Sequence, residues 1–232
     1  MASDWTRRGF LGATGMAVAA GATRLPSAKA AGEAPGKGKI RIVGVSCSPR
    51  KGKTTAAGLK VCLDAAAKVS PAVETELVEL AGMDIPVFDP TARGAKGDFA
   101  RLVPKLSDPA VGGIIVGTPV YFCNMTSLCK AFLDHCMVFR KNKLALANKV
   151  GGVLAVGGVR NGGQELTIQT VQAALMCQEM IVVGDGRPTA HIGATLVNQG
   201  DDVSGDDFGL GTARNLGRRV AQTALLLAGR TK

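Results

Sequence analysis

Short apolar runs alternate with longer amphipathic stretches along the chain from residue 40 onward. Each run has the length and the Val and Ile content of a strand, and each stretch has the apolar spacing of a helix. The five predicted strands span residues 40–45, 74–80, 111–117, 150–156 and 180–183. Helices are predicted after the first strand, from Asp98 onward, and over residues 127–139, 165–179 and 212–228. This order predicts one α/β domain with a doubly wound, five-stranded parallel sheet and right-handed crossovers.

The composition is that of a globular protein. The chain has 232 residues, of which 46% are apolar and 20% charged, so it can bury a full core. Six cysteines are too few to make a disulfide-stapled scaffold of a chain this long. The net charge of +10 invites a nucleic-acid partner, but Arg214, Arg218 and Arg219 come with no nucleic-acid motif and no interleaved aromatic residues. We therefore expect no nucleic-acid partner.

Residues 1–30 have the three parts of a signal peptide. Arg7 and Arg8 precede an apolar stretch over residues 12–22, and Ala28-Lys29-Ala30 follows. The adjacent arginines resemble a twin-arginine export signal, with an ordinary basic leader as the alternative. The apolar stretch is shorter than the ~20 residues that a helix needs to cross a membrane, so no permanent membrane span is expected. Removal of residues 1–30 would take the positive and negative side chains from 28 and 18 to 24 and 17, a net charge of +7.

The sequence thus predicts three regions: a signal peptide at 1–30, a linker at 31–39, and one domain at 40–232. The first two rest on their leader-like and Gly-rich composition. Export would place the mature protein in the periplasm or another extracytoplasmic space.

The loop after the first strand is rich in hydroxyl and cationic groups, directly before a helix. Such a loop suits a phosphate monoester, because helix N–H groups, hydroxyls and a guanidinium all favour an anion. The alternative is a solvated basic turn. The residues concerned are Ser46, Ser48, Arg50, Lys53, Thr54 and Thr55.

The same segment is one residue short of a nucleotide-triphosphate P-loop, which requires glycine where Cys47 stands. Pro49 and Arg50 further stiffen and crowd such a cradle. The strand at 111–117 also ends without the Asp that would bind magnesium. A P-loop-like NTPase is therefore only a remote alternative.

Two further loops suit a planar ring. The loop after the third strand holds the only tyrosine of the chain, Tyr121, beside Phe122. The loop after the fourth strand is glycine-rich and offers donors from Arg160 and Asn161. Since ligands of open parallel sheets bind beyond the carboxyl ends of the strands, a phosphate cradle and an aromatic platform at one rim fit flavin mononucleotide, FMN.

These segments resemble the flavodoxin-like NAD(P)H-dependent FMN reductase family, including its iron-sulfur flavoprotein branch. The matching stretches are residues 46–54, 118–122 with 130–134, 158–165 and 212–219. The resemblance implies strand order 2-1-3-4-5 and FMN as the cofactor. The chain departs from the family at Cys47, where glycine is usual, and at Lys53, where asparagine is usual. It also lacks the compact cysteine cluster of the iron-sulfur branch, and no metal site is expected.

The resemblance also implies roles for individual residues. The hydroxyl and cationic residues of the first loop would hold the FMN phosphate. The isoalloxazine ring would contact the loop after the third strand and, at its pyrimidine edge, the loop after the fourth. The residues implied for the ring are Thr118, Pro119, Val120, Tyr121, Phe122 and Asn124, and those for its edge are Gly158, Arg160, Asn161 and Gly162.

The expected activity is that of an FMN-dependent oxidoreductase, with NAD(P)H or a quinol as donor and a quinone, flavin or other acceptor. The alternative is an exported flavodoxin-like electron carrier with a protein partner. The flavin would carry the chemistry, so no catalytic acid or base is required, although Tyr121 is a candidate for proton delivery. The resemblance further suggests a homodimer or homotetramer.

The six cysteines and a cluster of four aspartates are the other residues that suggest a site. Cys47 and Cys123 follow neighbouring strands, and we hypothesise that they form a redox pair beside the flavin. The other four cysteines are expected to be small buried apolar residues. The acidic residues Asp201, Asp202, Asp206 and Asp207 are expected to form a solvated loop.

Overall fold

A parallel sheet runs through the centre of the computed structural model, which describes residues 38–91 and 94–229. All of these residues belong to one compact unit, Gly32–Lys232. The proposed signal peptide at 1–30 lies outside the described residues, as does most of the linker. The strands are β1 (Ile40–Ser46), β2 (Val73–Glu79), β3 (Val111–Pro119), β4 (Val150–Gly157), β5 (Ile181–Val182) and β6 (Ala194–Val197).

The strand order is β2-β1-β3-β4-β5, and β6 also pairs with β4. Every pairing is parallel. The central strands β3 and β4 are buried almost throughout, which explains their continuously apolar sequences. The edge strand β2 is only partly buried. The flavodoxin-like fold and the order 2-1-3-4-5 are thus confirmed.

Helices cover both faces of the sheet. Their bounds are α1 (Thr54–Ala67), α2 (Phe99–Ser107), α3 (Ser127–His135), α4 (Met137–Lys141), α5 (Gln164–Met176) and α6 (Asp207–Leu227). The buried apolar residues of α1 and α6 form one core with the sheet, and those of α2, α3, α4 and α5 form another. No helix within residues 38–91 and 94–229 is long and apolar enough to cross a membrane.

The outer edge of the sheet differs from the sequence prediction. A single strand at 180–183 was expected, but two short strands occupy this edge. β5 pairs with Val150 and Gly151, and β6 pairs with residues 154–157 farther along β4. The connecting segment, residues 183–193, leaves the edge and returns to it. The sequence does not predict β6 for two reasons. Its four residues are too few to show a periodicity, and the strand with which it pairs is distant in sequence.

Helix α6 begins five residues before the predicted start at 212, because Asp206 caps it. The Asp206 carboxylate accepts a hydrogen bond from the Gly209 N–H at 2.9 Å. Farther along, α6 approaches α1 closely at Gly217, where an added Cβ would lie 1.9 Å from the carbonyl oxygen of Cys62. Only glycine permits this separation of the two helices.

We expect Gly217→Ala to lower the free energy of unfolding by ~2 kcal/mol or more, because the methyl group forces the two helices apart. The matched control is Gly211→Ala in the same helix, where an added Cβ meets nothing within 4 Å. That change should raise stability by about 0.5–1 kcal/mol through helix propensity alone. Urea denaturation followed by circular dichroism measures both. Equal effects of the two substitutions would contradict the close-contact explanation.

Candidate functional site

Four loops meet at the carboxyl ends of the strands. We name each after the strand it follows: loop 1 (residues 47–53), loop 3 (120–126), loop 4 (158–163) and loop 6 (198–206). The predicted site residues lie in loops 1, 3 and 4 or at the strand and helix ends beside them. Loop 6 is an addition that sequence reasoning did not include in the site.

Loop 1 is a tight turn that ends at the start of α1. The Ser48 hydroxyl oxygen accepts a hydrogen bond from the Arg50 N–H at 3.1 Å. The Gly52 N–H, at a residue with φ +69°, donates to the Glu79 carboxylate at 2.6 Å. Lys53 occupies the N-cap position of α1 and makes no side-chain capping bond. The helix therefore starts without a side-chain acceptor for its first N–H groups.

Two hydroxyl groups beside loop 1 are buried and lack partners. Neither Ser46 Oγ nor Thr55 Oγ1 has a hydrogen-bond partner among the described residues. A buried hydroxyl that is left unpaired costs about 1–3 kcal/mol, so such groups indicate a missing ligand or water. Together with the uncapped start of α1, they form a site with the chemistry for a phosphate group.

The cations of loop 1 are bound to a carboxylate from loop 6. Asp201 Oδ1 lies 2.5 Å from Arg50 Nη1, and Asp201 Oδ2 lies 3.3 Å from Lys53 Nζ. The hydrogen bonds from Arg50 and then Lys53 lower the pKa of the Asp201 carboxyl below its ordinary value. Asp201 therefore stays ionised and shields the positive charge of the cradle. The turn that carries it has positive φ at Gly200 and Asp201.

The other acidic residues of this region bind protein groups, so the expected solvated loop is only partly present. Asp202 accepts from the Ser204 N–H at 2.9 Å. The buried Asp206 accepts from the Val197 N–H at 2.7 Å and forms an ion pair with Arg160. Asp207 is exposed in the first turn of α6. The sequence did not predict the partners of Asp201 and Asp206, because Arg50, Lys53 and Arg160 are distant from them in the chain.

Loop 3 projects two aromatic rings from a tight turn. The Tyr121 N–H donates to the Asn124 carbonyl at 2.9 Å, and the Asn124 N–H donates back at 3.0 Å. Between them Phe122 and Cys123 have φ of +49° and +57°, a conformation that costs non-glycine residues about 1–2 kcal/mol each. Phe122 is fully exposed and Tyr121 is 51% exposed. The predicted aromatic platform therefore faces solvent.

Two of the residues predicted to contact the flavin ring form hydrogen bonds within the protein instead. The Thr118 hydroxyl is buried and accepts from the Thr126 N–H at 3.2 Å. The Asn124 side-chain oxygen accepts from Thr170 Oγ1 at 3.0 Å. Pro119 and Val120 are half-buried at the end of β3. Thr118 and Asn124 thus shape loop 3 from within.

Loop 4 is held by Arg160 and Gln164. Arg160 donates to the Thr195 carbonyl at 3.1 Å, and its guanidinium lies 5.2 Å from the Phe208 ring centroid. The guanidinium is thus bound to β6 and α6. Gly158 and Asn161 are exposed, and Gly162 is half-buried.

Gln164 directly follows loop 4 and is a further candidate for the site that the sequence did not single out. It is buried, and its amide nitrogen donates to the Val159 carbonyl at 2.7 Å, whereas Oε1 has no partner among the described residues. A glutamine directly after a glycine-rich loop was the available signal. Next to it, Gly163 brings loop 4 onto loop 3, because a Cβ there would lie 2.8 Å from Cys123 Cα.

The hypothesis of a pair between Cys47 and Cys123 is wrong for this structure. Cys47 is buried in the core, where Cys129 and Cys136 are its neighbours, and Cys123 is exposed. Burial, and then a hydrogen bond with Cys129, raises the pKa of the Cys47 thiol. The two thiols differ because the side chain of Cys47 packs into the core, whereas Cys123 lies in an exposed turn. Cys177 is exposed as well, against the expectation of a buried residue.

The fold defines a flavodoxin-like α/β protein, and buried hydroxyl groups without partners among the described residues lie at the carboxyl end of its sheet. The model of the NADPH-dependent FMN reductase family matches residues 40–195. The chain therefore belongs to that family and is an FMN-dependent oxidoreductase.

Individual relatives agree with the family. The chain is 38% identical over 196 residues to an iron-sulfur flavoprotein of Methanocaldococcus jannaschii, covering 81% of this chain and 99% of that protein. It is 31% identical over 193 residues to an iron-sulfur flavoprotein of Methanosarcina thermophila, covering 81% and 97%.

Solved structures show the same fold. The apo form of the NADH:FMN oxidoreductase EMOB superimposes with a TM-score of 0.57 at 24% identity, covering 79% of this chain and 89% of that one. A WrbA-like flavodoxin of Agrobacterium tumefaciens gives a TM-score of 0.55 at 20% identity, covering 81% and 99%.

Thiol accessibility is a direct test of this arrangement. We expect two cysteines, Cys123 and Cys177, to react with Ellman's reagent in the native protein, and the other four only after unfolding, because burial excludes the reagent. Cys123→Ser should leave one reactive thiol. A third thiol that reacts as fast as these two would contradict the burial of Cys47.

Proposed function

We propose that this chain binds FMN across loops 1, 3 and 4 and transfers electrons from NAD(P)H or a quinol to a quinone, flavin or other small acceptor. The observation that carries the proposal is the pair of buried hydroxyls of Ser46 and Thr55, which have no partner in the part of the chain that the structure describes and lie beside the start of α1, where the Lys53 side chain makes no capping bond. This is the chemistry that a phosphate monoester completes.

The residues of loop 1 fit the FMN phosphate. Ser46 and Thr55 would donate their free hydroxyls, and the first N–H groups of α1 would point at the same anion. Arg50 and Lys53 supply positive charge next to them. Ser48 and Thr54 are both buried at this turn. Ser48 shapes the turn through its bond to Arg50, and Thr54 adds a further hydroxyl.

The ring would lie against loops 3 and 4. Tyr121 and Phe122 present exposed aromatic surface that a flavin can cover. Gly158 leaves open space where an added Cβ meets nothing within 4 Å, so a ligand can approach the backbone there. Pro119, Val120, Asn161 and Gly162 would complete the wall, while Arg160 and Asn124 hold the loops in place.

Bound FMN supplies the hydride and electron transfer chemistry. The chain itself anchors the phosphate, covers one part of the ring and limits the entry of water. Tyr121 is half-exposed in loop 3, and its hydroxyl would hold a proton for transfer to or from solvent. An exported electron carrier with a protein partner would use the same residues for binding but would show no turnover with small molecules.

The cysteines do not fit an iron-sulfur cluster, although both relatives described above are named iron-sulfur flavoproteins. Four of the six are buried, and the part of the chain that the structure describes holds no group of three or more His, Cys, Asp or Glu side chains placed to bind a metal ion. We therefore assign no step to such a cluster.

We also propose that residues 1–30 export the folded protein through the twin-arginine route to the periplasm or another extracytoplasmic space. The support is the sequence Arg7-Arg8 with its apolar stretch and the small residues at 28–30. A homodimer or homotetramer is the proposed assembly, on the strength of the family resemblance.

FMN titration of apoprotein tests the function. We expect FMN to bind more tightly than riboflavin, which has no phosphate, and Thr55→Val to weaken FMN binding about tenfold without weakening riboflavin binding. The stability of the apoprotein should not fall, because the lost hydroxyl had no partner. Turnover with NADH, NADPH and quinones then separates the oxidoreductase from a carrier. A protein that binds neither flavin would overturn the proposal.

Asp201 should weaken phosphate binding, because its carboxylate forms ion pairs with Arg50 and Lys53 and so competes with the phosphate for them. We expect Asp201→Asn to tighten FMN binding about 3- to 10-fold at low salt and to leave riboflavin binding unchanged. The matched control is Asp202→Asn, since Asp202 bonds to Ser204 and forms no ion pair among the described residues. Weaker FMN binding in Asp201→Asn would show instead that Asp201 positions the two cations.

A further inference from the structure

A cavity of about 600 Å³ lies between the segment 183–193 and helix α6. None of its lining residues belongs to loops 1, 3, 4 or 6. It opens at the outer edge of the sheet, where the chain leaves the edge after β5 and returns at β6. The cavity is therefore separate from the proposed FMN site.

Three arginines line this cavity. Arg187 comes from the segment 183–193, and Arg218 and Arg219 come from α6. The stem of Arg219 covers Gly186, since a Cβ at that glycine would lie 3.5 Å from Arg219 Cδ. Both elements thus contribute arginine residues, all three of them exposed, to the lining of one space.

These arginines lack carboxylate partners. Within residues 38–91 and 94–229, the ion pairs involve other cations, among them Arg41, Arg50 and Arg160. The guanidinium of Arg218 donates to the Asn215 side-chain oxygen. Three positive charges around one cavity create a positive local potential that favours the binding of an anion.

Asp185, the acidic residue that lines the cavity, forms hydrogen bonds with groups other than the three arginines. It is buried, and its carboxylate accepts hydrogen bonds from the Thr189 hydroxyl and the His191 N–H. Asn215 also lies in this wall and donates to Thr189 Oγ1 at 2.7 Å. Counting Asp185 against the three arginines, the cavity carries a net charge of about +2.

We propose that this cavity is a second anion site, for a small molecule that carries two or more negative charges on phosphate groups. Arginine forks match the oxygens of phosphate better than any other side chain. The volume is that of a site for a whole small molecule, larger than a single inorganic phosphate needs. The Gln222 amide at the rim adds a neutral donor and acceptor.

Calorimetry with FMN-saturated protein tests the proposal, with pyrophosphate as the probe and inorganic phosphate, ADP and succinate as further arms. We expect pyrophosphate to bind and Arg218→Gln/Arg219→Gln to weaken it about tenfold or more. Stronger binding of ADP than of pyrophosphate would identify a nucleotide site, and the reverse a site for free phosphates. Binding of succinate as tightly as pyrophosphate, or no binding of any probe, would overturn the proposal.

Two control variants locate the effect. Arg214→Gln removes an exposed arginine of the same helix that does not line the cavity, so it should leave binding unchanged. Arg50→Gln in loop 1 should also leave it unchanged, whether or not FMN binds there as proposed. Loss of pyrophosphate binding in either control would place the anion on the general surface or in loop 1. Should the double variant fail to fold, Arg187→Gln provides the same test from the other wall.

Discussion

The pairing of β1 with β3 is the constraint on which the site depends. The chain leaves β1 through loop 1 toward α1 on one face of the sheet, and it leaves β3 through loop 3 toward α3 on the other. Because the two loops diverge from adjacent strands, the edge between them is the place where open parallel sheets bind their ligands. Two hydrogen bonds join the first residue of loop 1 to β3 and loop 3. The Cys47 N–H donates to the Gly117 carbonyl, and Thr126 Oγ1 donates to the Cys47 carbonyl, both at 2.8 Å.

Carboxylates from the last third of the chain control the charge at this edge. Asp201 lies on the two cations of loop 1, and Asp206 holds Arg160 while it caps α6. Loop 6 therefore lowers the positive charge of loop 1. At the outer edge the arrangement is reversed, because the three arginines that line the cavity form no ion pair with a carboxylate within residues 38–91 and 94–229. The molecule thus carries two proposed anion sites, of which the first is partly neutralised by a carboxylate and the second is not.

Much of the fold could be predicted from sequence, since local patterns encode it. The apolar run at 111–117 predicts a central strand because both faces of β3 are covered. The hydroxyl and cationic residues before α1 predict an anion site because the helix start adds its N–H groups. Strand β6 and the partners of Asp201 could not be predicted, because they depend on contacts between residues far apart in the chain.

The sequence by itself determined the alternation of strands and helices, the hydroxyl and cationic residues of loop 1 and the position of the only tyrosine in the loop after β3. The tertiary structure decided which charges are neutralised, which thiols are buried and where the arginines of α6 lie. The physical reason is the range of the interactions. Periodicity and turn chemistry act over a few residues, whereas ion pairs, burial and cavities arise only when the folded chain brings distant segments together.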